Sequence, residues 1–217
     1  MLREALVGLA GISVFLGTPT LAMDASNTSG KCELHFWPTD EFAVTENLGG
    51  KNLGLVGALM DEAVRLKSPE SVQNQLAAQL GVVEQARIFQ ELNVASLLKL
   101  DNYDVVIEPA ESQPTWTLDQ IKSTDRLSST APLCYAELAI ISQQYLKQAV
   151  GSRLRTFFRY REYGPNGLLR SKVLDTTATK AERFPASNSD DIIASATSVQ
   201  AAFRENLIKL VKEKLKR

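Results

Sequence analysis

Hydrophobic and polar positions change period along this chain, and the changes divide it into strands and helices. In "CELHFW" they alternate, so that Cys32, Leu34 and Phe36 share one face of a strand and Glu33, His35 and Trp37 the other. Pro38 ends that strand, and "PTDEFAVTENLGGK" reads as a loop because of its acidic residues and glycine pair. From Leu53 to Lys67 the apolar positions recur at helical spacing. A second helix follows, with Ser68 as N-cap, Pro69 in its first turn, Val72, Leu76 and Leu80 inward, and Gly81 as its stop. A third runs from about Val83 to Leu92 into "NVASLLKL".

The period then shortens. "NYDVVIEP" predicts a β-branched strand, Tyr103 to Glu108, closed by Pro109. Glu111 to Thr130 reads as a polar loop around Pro114 and Trp116. "CYAELAIISQQYLKQ" and "SRLRTFFRYREY" are the longest strand-like runs and predict a hairpin, after which the "GPNG" turn leads to a strand over Leu168 to Thr179. Ser189 caps a closing helix with Asp190 and Asp191 in its first turn and a stripe of Ile192, Ala196, Val199, Phe203, Leu207 and Leu210. This order predicts an α+β fold, a two-layer sandwich with a mixed sheet of four to five strands and helices on one face.

The N-terminus changes the picture of where the protein works. Arg3, an apolar run from Ala5 to Leu16, Pro19, and small residues at Ala22 and Ala25 read as a secretory signal cleaved after Ala22 or Ala25, the alternative being its retention as a short N-terminal anchor. The run is short of the ~20 residues that span a bilayer. The expected organisation is a signal over 1–22, a flexible lead-in over 23–31 and one domain over 32–217. The mature chain would carry no transmembrane helix and would be periplasmic or secreted. Cys32 follows polar "NTSGK" at a distance from the apolar run, which argues against a lipid anchor.

Two cysteines in an exported chain predict one disulfide, Cys32 to Cys134, with two buried free thiols as the competing reading. Each opens a predicted strand, and bridged Cα atoms lie within about 7 Å, so the two strands should be parallel neighbours joined by a long crossover through the helices.

Candidate chemistry is sparse. His35 is the single histidine, and with both cysteines bridged no zinc-type ligand set remains; no metal or cofactor is expected. A Ser-His-Asp arrangement lacks a Gly-x-Ser-x-Gly elbow, so His35 reads as structural or surface. Ser96 to Lys99 match Ser-x-x-Lys, but no Lys-Thr-Gly accompanies them. Glu33, Asp104, Glu108 and Glu137 lie near strand ends, which keeps a small carboxylate or Ser/His35 hydrolase acting on envelope polymers as the alternative. No phosphate loop or dinucleotide fingerprint occurs.

Charge is the more informative signal. The first 152 residues carry 10 basic and 18 acidic residues, net −8, and the remainder 14 and 7, net +7, within a total of −1. Alternation in "SRLRTFFRYREY" places Arg153, Arg155, Arg159 and Arg161 with Phe157 on one face, and Leu154, Phe158 and Tyr160 on the other. Such a stripe suits an anionic envelope component or an acidic partner; the competing reading is a solvated face, or arginines that pair with the acidic half. Export removes the protein from nucleic acid. The expected function is therefore a non-enzymatic, envelope-associated binding module with no catalytic residue.

"CELHFWP", "APLCYAEL" and "LRTFFRYREYG" together resemble a group of small exported bacterial proteins, mostly alphaproteobacterial, with similar Cys-Glu-Leu-His and Cys-Tyr-Ala-Glu-Leu segments. The resemblance implies export and lends no activity. The element order is also similar to small α/β modules of outer-membrane assembly and lipoprotein systems, as fold analogy alone.

Overall fold

Cys32 and Cys134 are bridged, with Cα atoms 4.7 Å apart, and the bond joins the starts of two parallel strands. The computed structural model describes residues 31–47, 70–129, 132, 134–148 and 151–215. The expected signal over 1–22, its cleavage after Ala22 or Ala25, most of the lead-in, the helix over 53–67 and the Ser68 cap lie outside these residues.

Strands β1 (Cys32–Trp37), β2 (Phe42–Asn47), β3 (Tyr103–Ile107), β4 (Tyr135–Gln148), β5 (Gly151–Gly164) and β6 (Gly167–Lys180) form one mixed sheet. Its order is β3-β1-β4-β5-β6, with β2 also on β4. Pairing is parallel among β3, β1, β2 and β4 and antiparallel from β4 to β6. The α+β class and mixed sheet agree with the sequence reading, but the sheet is larger than the expected four to five strands, with six among the described residues. The extra strand is β2, which the acidic residues of "PTDEFAVTEN" had marked as loop.

Its register explains the difference. β1 covers Tyr135 to Ala139 of β4 and β2 covers Gln143 to Gln148, so the two strands are successive segments of one rank interrupted at Pro38. Proline cannot donate to a ladder, and the break is bridged instead by one side-chain and one backbone hydrogen bond. The Thr39 hydroxyl donates to the Ile141 carbonyl at 3.3 Å, and Gln143 N–H donates to the Glu41 carbonyl at 2.9 Å. On the other side of β4, the register with β5 shifts between Ile140 and Ser142, at the same level.

Helices α1 (Glu70–Gln79), α2 (Val82–Glu91), the short α3 (Val94–Leu97) and α5 (Ile192–Lys209) pack on one sheet face. The core there joins Leu34, Phe36, Leu138, Ile140, Leu154 and Phe158 to Leu76, Phe89, Val199 and Phe203. The closing stripe holds from Val199 to Leu210, whereas Ile192 is half exposed, and Ser195 and Ala202 are buried on the same helix. Asn188, one residue before the expected Ser189, caps this end with its side chain.

The opposite face is covered as well, by a strap over residues 109–129 that includes α4 (Leu118–Lys122). Helices are thus not confined to one face. Successive crossovers explain why: β3 lies to one side of β1 and β4 to the other, and right-handed crossovers running in opposite directions must use opposite faces. Helices α1 to α3 belong to the β1-to-β3 connection and the strap to the β3-to-β4 connection, while α5 follows β6.

The disulfide closes a loop spanning 102 positions, for which chain entropy gives up to about 4.7 kcal/mol. Replacing Cys32 and Cys134 with alanine should lower unfolding free energy by about 2–5 kcal/mol in denaturant titration; an unchanged midpoint would show that the bridge constrains nothing.

Candidate functional site

Two polar clusters occupy the strap side of the sheet, and both come from strand alternation. Odd-numbered residues of β1, the first half of β4, and β5 face the strap: Glu33, His35 and Trp37; Tyr135, Glu137 and Ala139; Phe157, Arg159, Arg161 and Tyr163.

The first cluster centres on His35, 4% exposed. Its Nδ1 lies 2.5 Å from Glu108 Oε1 and its Nε2 2.8 Å from Glu33 Oε2. Trp37 stacks on the ring and Tyr135 meets it edge-on, with centroids 5.6 and 4.9 Å away. Glu33 and Glu108 remain partly open to solvent. Both imidazole nitrogens are therefore committed to carboxylates. No hydroxyl touches either nitrogen among the described residues, and the ring fills the gap between the two acids where a substrate atom would have to enter.

The second cluster is the latch of the strap. Glu137 is 0% exposed and accepts from Tyr135 Oη at 2.8 Å, Leu127 N–H at 3.0 Å and Arg159 Nη2 at 2.5 Å. Arg159 also donates to the carbonyls of Gln120 and Asp125, and its guanidinium lies 5.6 Å from the Trp116 ring. Arg161 donates to the carbonyls of Ile121 and Asp125. Tyr163 Oη reaches the carbonyls of Thr124 and Asp125, and Arg126 stacks over the rings of Tyr135 and Tyr163. The strap's backbone carbonyls, including those at the C-terminal end of α4, are thus held by cationic donors.

This geometry divides the arginine stripe. Arg159 and Arg161 are each 1% exposed, which corrects the expectation of four arginines on an open face: alternation assigned the face correctly, and the strap covers that half of it. Arg153 is exposed and Arg155 half-buried, its guanidinium 5.9 Å from the Phe157 ring centre. Burial lowers the Arg155 pKa from its usual range. Neither Arg153 nor Arg155 has a carboxylate within ion-pair distance among the described residues.

Of the remaining candidates, Asp104 pairs with Lys31 at 3.3 Å on the surface. Ser96 and Lys99 are exposed at the end of α3, with the Lys99 N–H on the Ser96 carbonyl. Glu33 and Glu108, read only as isolated strand-end acids, are brought together by His35. Nothing in the local sequence pairs residues 35 and 108; the parallel register of β1 and β3 does.

No family model matches the chain, and no curated protein does. Among solved structures it is similar to the hypothetical protein CT253 from Chlamydia trachomatis, at 10% identity and a TM-score of 0.31, covering 83% of this chain and 96% of that one. No helix among the described residues is long and apolar enough to cross a membrane. The disulfide fits an oxidising, non-cytoplasmic compartment.

Two consequences are measurable. Glu137→Gln leaves the buried Arg159 guanidinium without its carboxylate and should cost about 3–5 kcal/mol, whereas Arg153→Gln should stay within about 0.5 kcal/mol; equal effects in chemical denaturation would contradict the latch. Burial and then the Glu137 charge push Tyr135 up, and the same two causes raise Tyr163 against the opposing Arg161. The folded phenols keep protons that the unfolded chain releases above about pH 10, so stability should fall as pH rises past that point, and less steeply in Tyr135→Phe. A flat profile to higher pH, followed by circular dichroism, would count against this.

Proposed function

We propose that the protein is an exported, non-enzymatic binding domain of the bacterial envelope that holds an anionic envelope component or acidic partner through the open half of its strap-side sheet face. One observation carries this reading. Past the end of the strap, Arg155 lies half-buried against Phe157 with no carboxylate partner among the described residues, and Arg153 follows it on the same face. A partly desolvated guanidinium backed by an aromatic ring is suited to a bidentate phosphate or carboxylate ligand. Lys180 stands opposite Arg153 on β6 and adds a third cation, shared with Glu182 at 3.8 Å.

Export is supported by the disulfide and by the likeness of "CELHFWP", "APLCYAEL" and "LRTFFRYREYG" to exported bacterial proteins. The non-enzymatic reading is supported by how the candidate acids and base are used. Glu137 is enclosed with Arg159, and His35 has both nitrogens on carboxylates. No specific observation favours the hydrolase alternative.

The test is cosedimentation of the mature chain with phosphatidylglycerol vesicles and with an acidic protein surface such as polyglutamate beads. Each arginine near an anionic surface is worth about 1 kcal/mol, so Arg153→Gln with Arg155→Gln should weaken salt-sensitive association roughly tenfold or more without altering the circular dichroism spectrum. Association unchanged in the double variant, at low and at high salt, would remove the reading.

A further inference from the structure

β1 and β3 run parallel and finish at the same edge of the sheet, at Trp37 and Ile107. Because the crossovers around β1 use opposite faces, the chain parts there, as it does at the carboxyl ends of strands in α/β sheets that bind ligands. Beyond these ends an open groove of about 700 Å³ separates α2 from the segment after β3. Its volume falls within the range of ligand sites.

The groove is apolar with an acidic wall. Val83 and Ala86 of α2 face Ile107 and Pro109 across it, and Val83 is 81% exposed, an aliphatic side chain that contributes little to the chain's own core. Glu108 and Glu111 supply negative charge on the β3 side. Arg87 on the helix side does not offset them, because Glu84 and Glu91 of the same helix already hold its guanidinium. Neither Glu111 nor the second carboxylate oxygen of Glu108 has a hydrogen-bond partner among the described residues.

Glu108 is also held in place. Its Oε1 is 2.5 Å from His35 Nδ1, and the imidazole is braced in turn by Glu33 and packed between Trp37 and Tyr135. A partly exposed carboxylate that lines an apolar groove and is fixed by one oxygen is prepared for an ammonium or guanidinium group.

We propose that this groove binds a cationic aliphatic peptide segment, with apolar side chains against Val83 and Ala86 and a lysine or arginine on Glu108. His35 is a positioning residue for that carboxylate. The groove shares no lining residue with the Arg153–Arg155 patch and takes the opposite charge, so it stands independently of that reading.

The test titrates the full mature chain with acetyl-Leu-Lys-Val-Lys-amide, with acetyl-Leu-Glu-Val-Glu-amide and spermidine as comparison probes. The lysine peptide should bind saturably, shift the amide resonances of Val83, Ala86 and Ala110, and bind more tightly than either comparison. Glu108→Gln, a partly exposed change that leaves the core intact, should weaken it about tenfold. His35→Gln, whose amide can still donate to Glu108, should retain more affinity than His35→Leu at matched folded fraction. The proposal is overturned if the lysine peptide fails to saturate, if the glutamate peptide or spermidine binds as tightly, or if Glu108→Gln retains wild-type affinity.

Discussion

A carboxylate with no solvent exposure at the centre of a sheet must be met by positive charge and hydrogen-bond donors, because an unpaired buried charge costs several kcal/mol. Glu137 meets that requirement with Arg159, the Tyr135 hydroxyl and the Leu127 N–H, and the last of these belongs to the strap. The strap cannot leave without exposing or orphaning the pair, and the pair cannot remain dry without the strap. Arg161 and Tyr163 extend the same condition along the backbone carbonyls from Ile121 to Asp125. The second layer over the sheet is thus held by charge and backbone polarity together with apolar packing of Trp116, Ile121 and Leu127 on the sheet.

The same constraint accounts for the uneven charge of the chain. Glu137 comes from the acidic first part and Arg159 and Arg161 from the basic second part, so one hairpin, β4 with β5, brings together residues that the sequence keeps 22 positions or more apart. The arginine stripe is in consequence two devices on one strand. Its inner half closes the fold, and its outer half, Arg153 and Arg155, carries charge that the described part of the fold does not consume.

Periodicity made most of the frame legible. It located the β4–β5 hairpin, β6, β3 and the helices α1, α2 and α5 to within a few residues, whereas α4 lies in a segment that reads as polar loop, and the two cysteines pointed to the parallel pairing of β1 and β4. What it missed has a physical reason in each case. The strand β2 carries Glu46 and a proline break before it, so it reads as loop until its partner β4 supplies the ladder. Alternation shows which face a side chain takes and says nothing of what lies over that face, so Arg159 and Arg161 looked open. The site around His35 depends on Glu108, 73 positions away, which only strand register connects.

The division of the arginine stripe can be read directly by labelling the folded protein with an arginine-selective dicarbonyl reagent and mapping the adducts by mass spectrometry. Solvent access predicts that Arg153 and Arg155 are modified in the native state while Arg159 and Arg161 react only after denaturation. Native-state modification of Arg159 and Arg161 at the rate of Arg153 would contradict the latch and, with it, the account of how the sheet is covered.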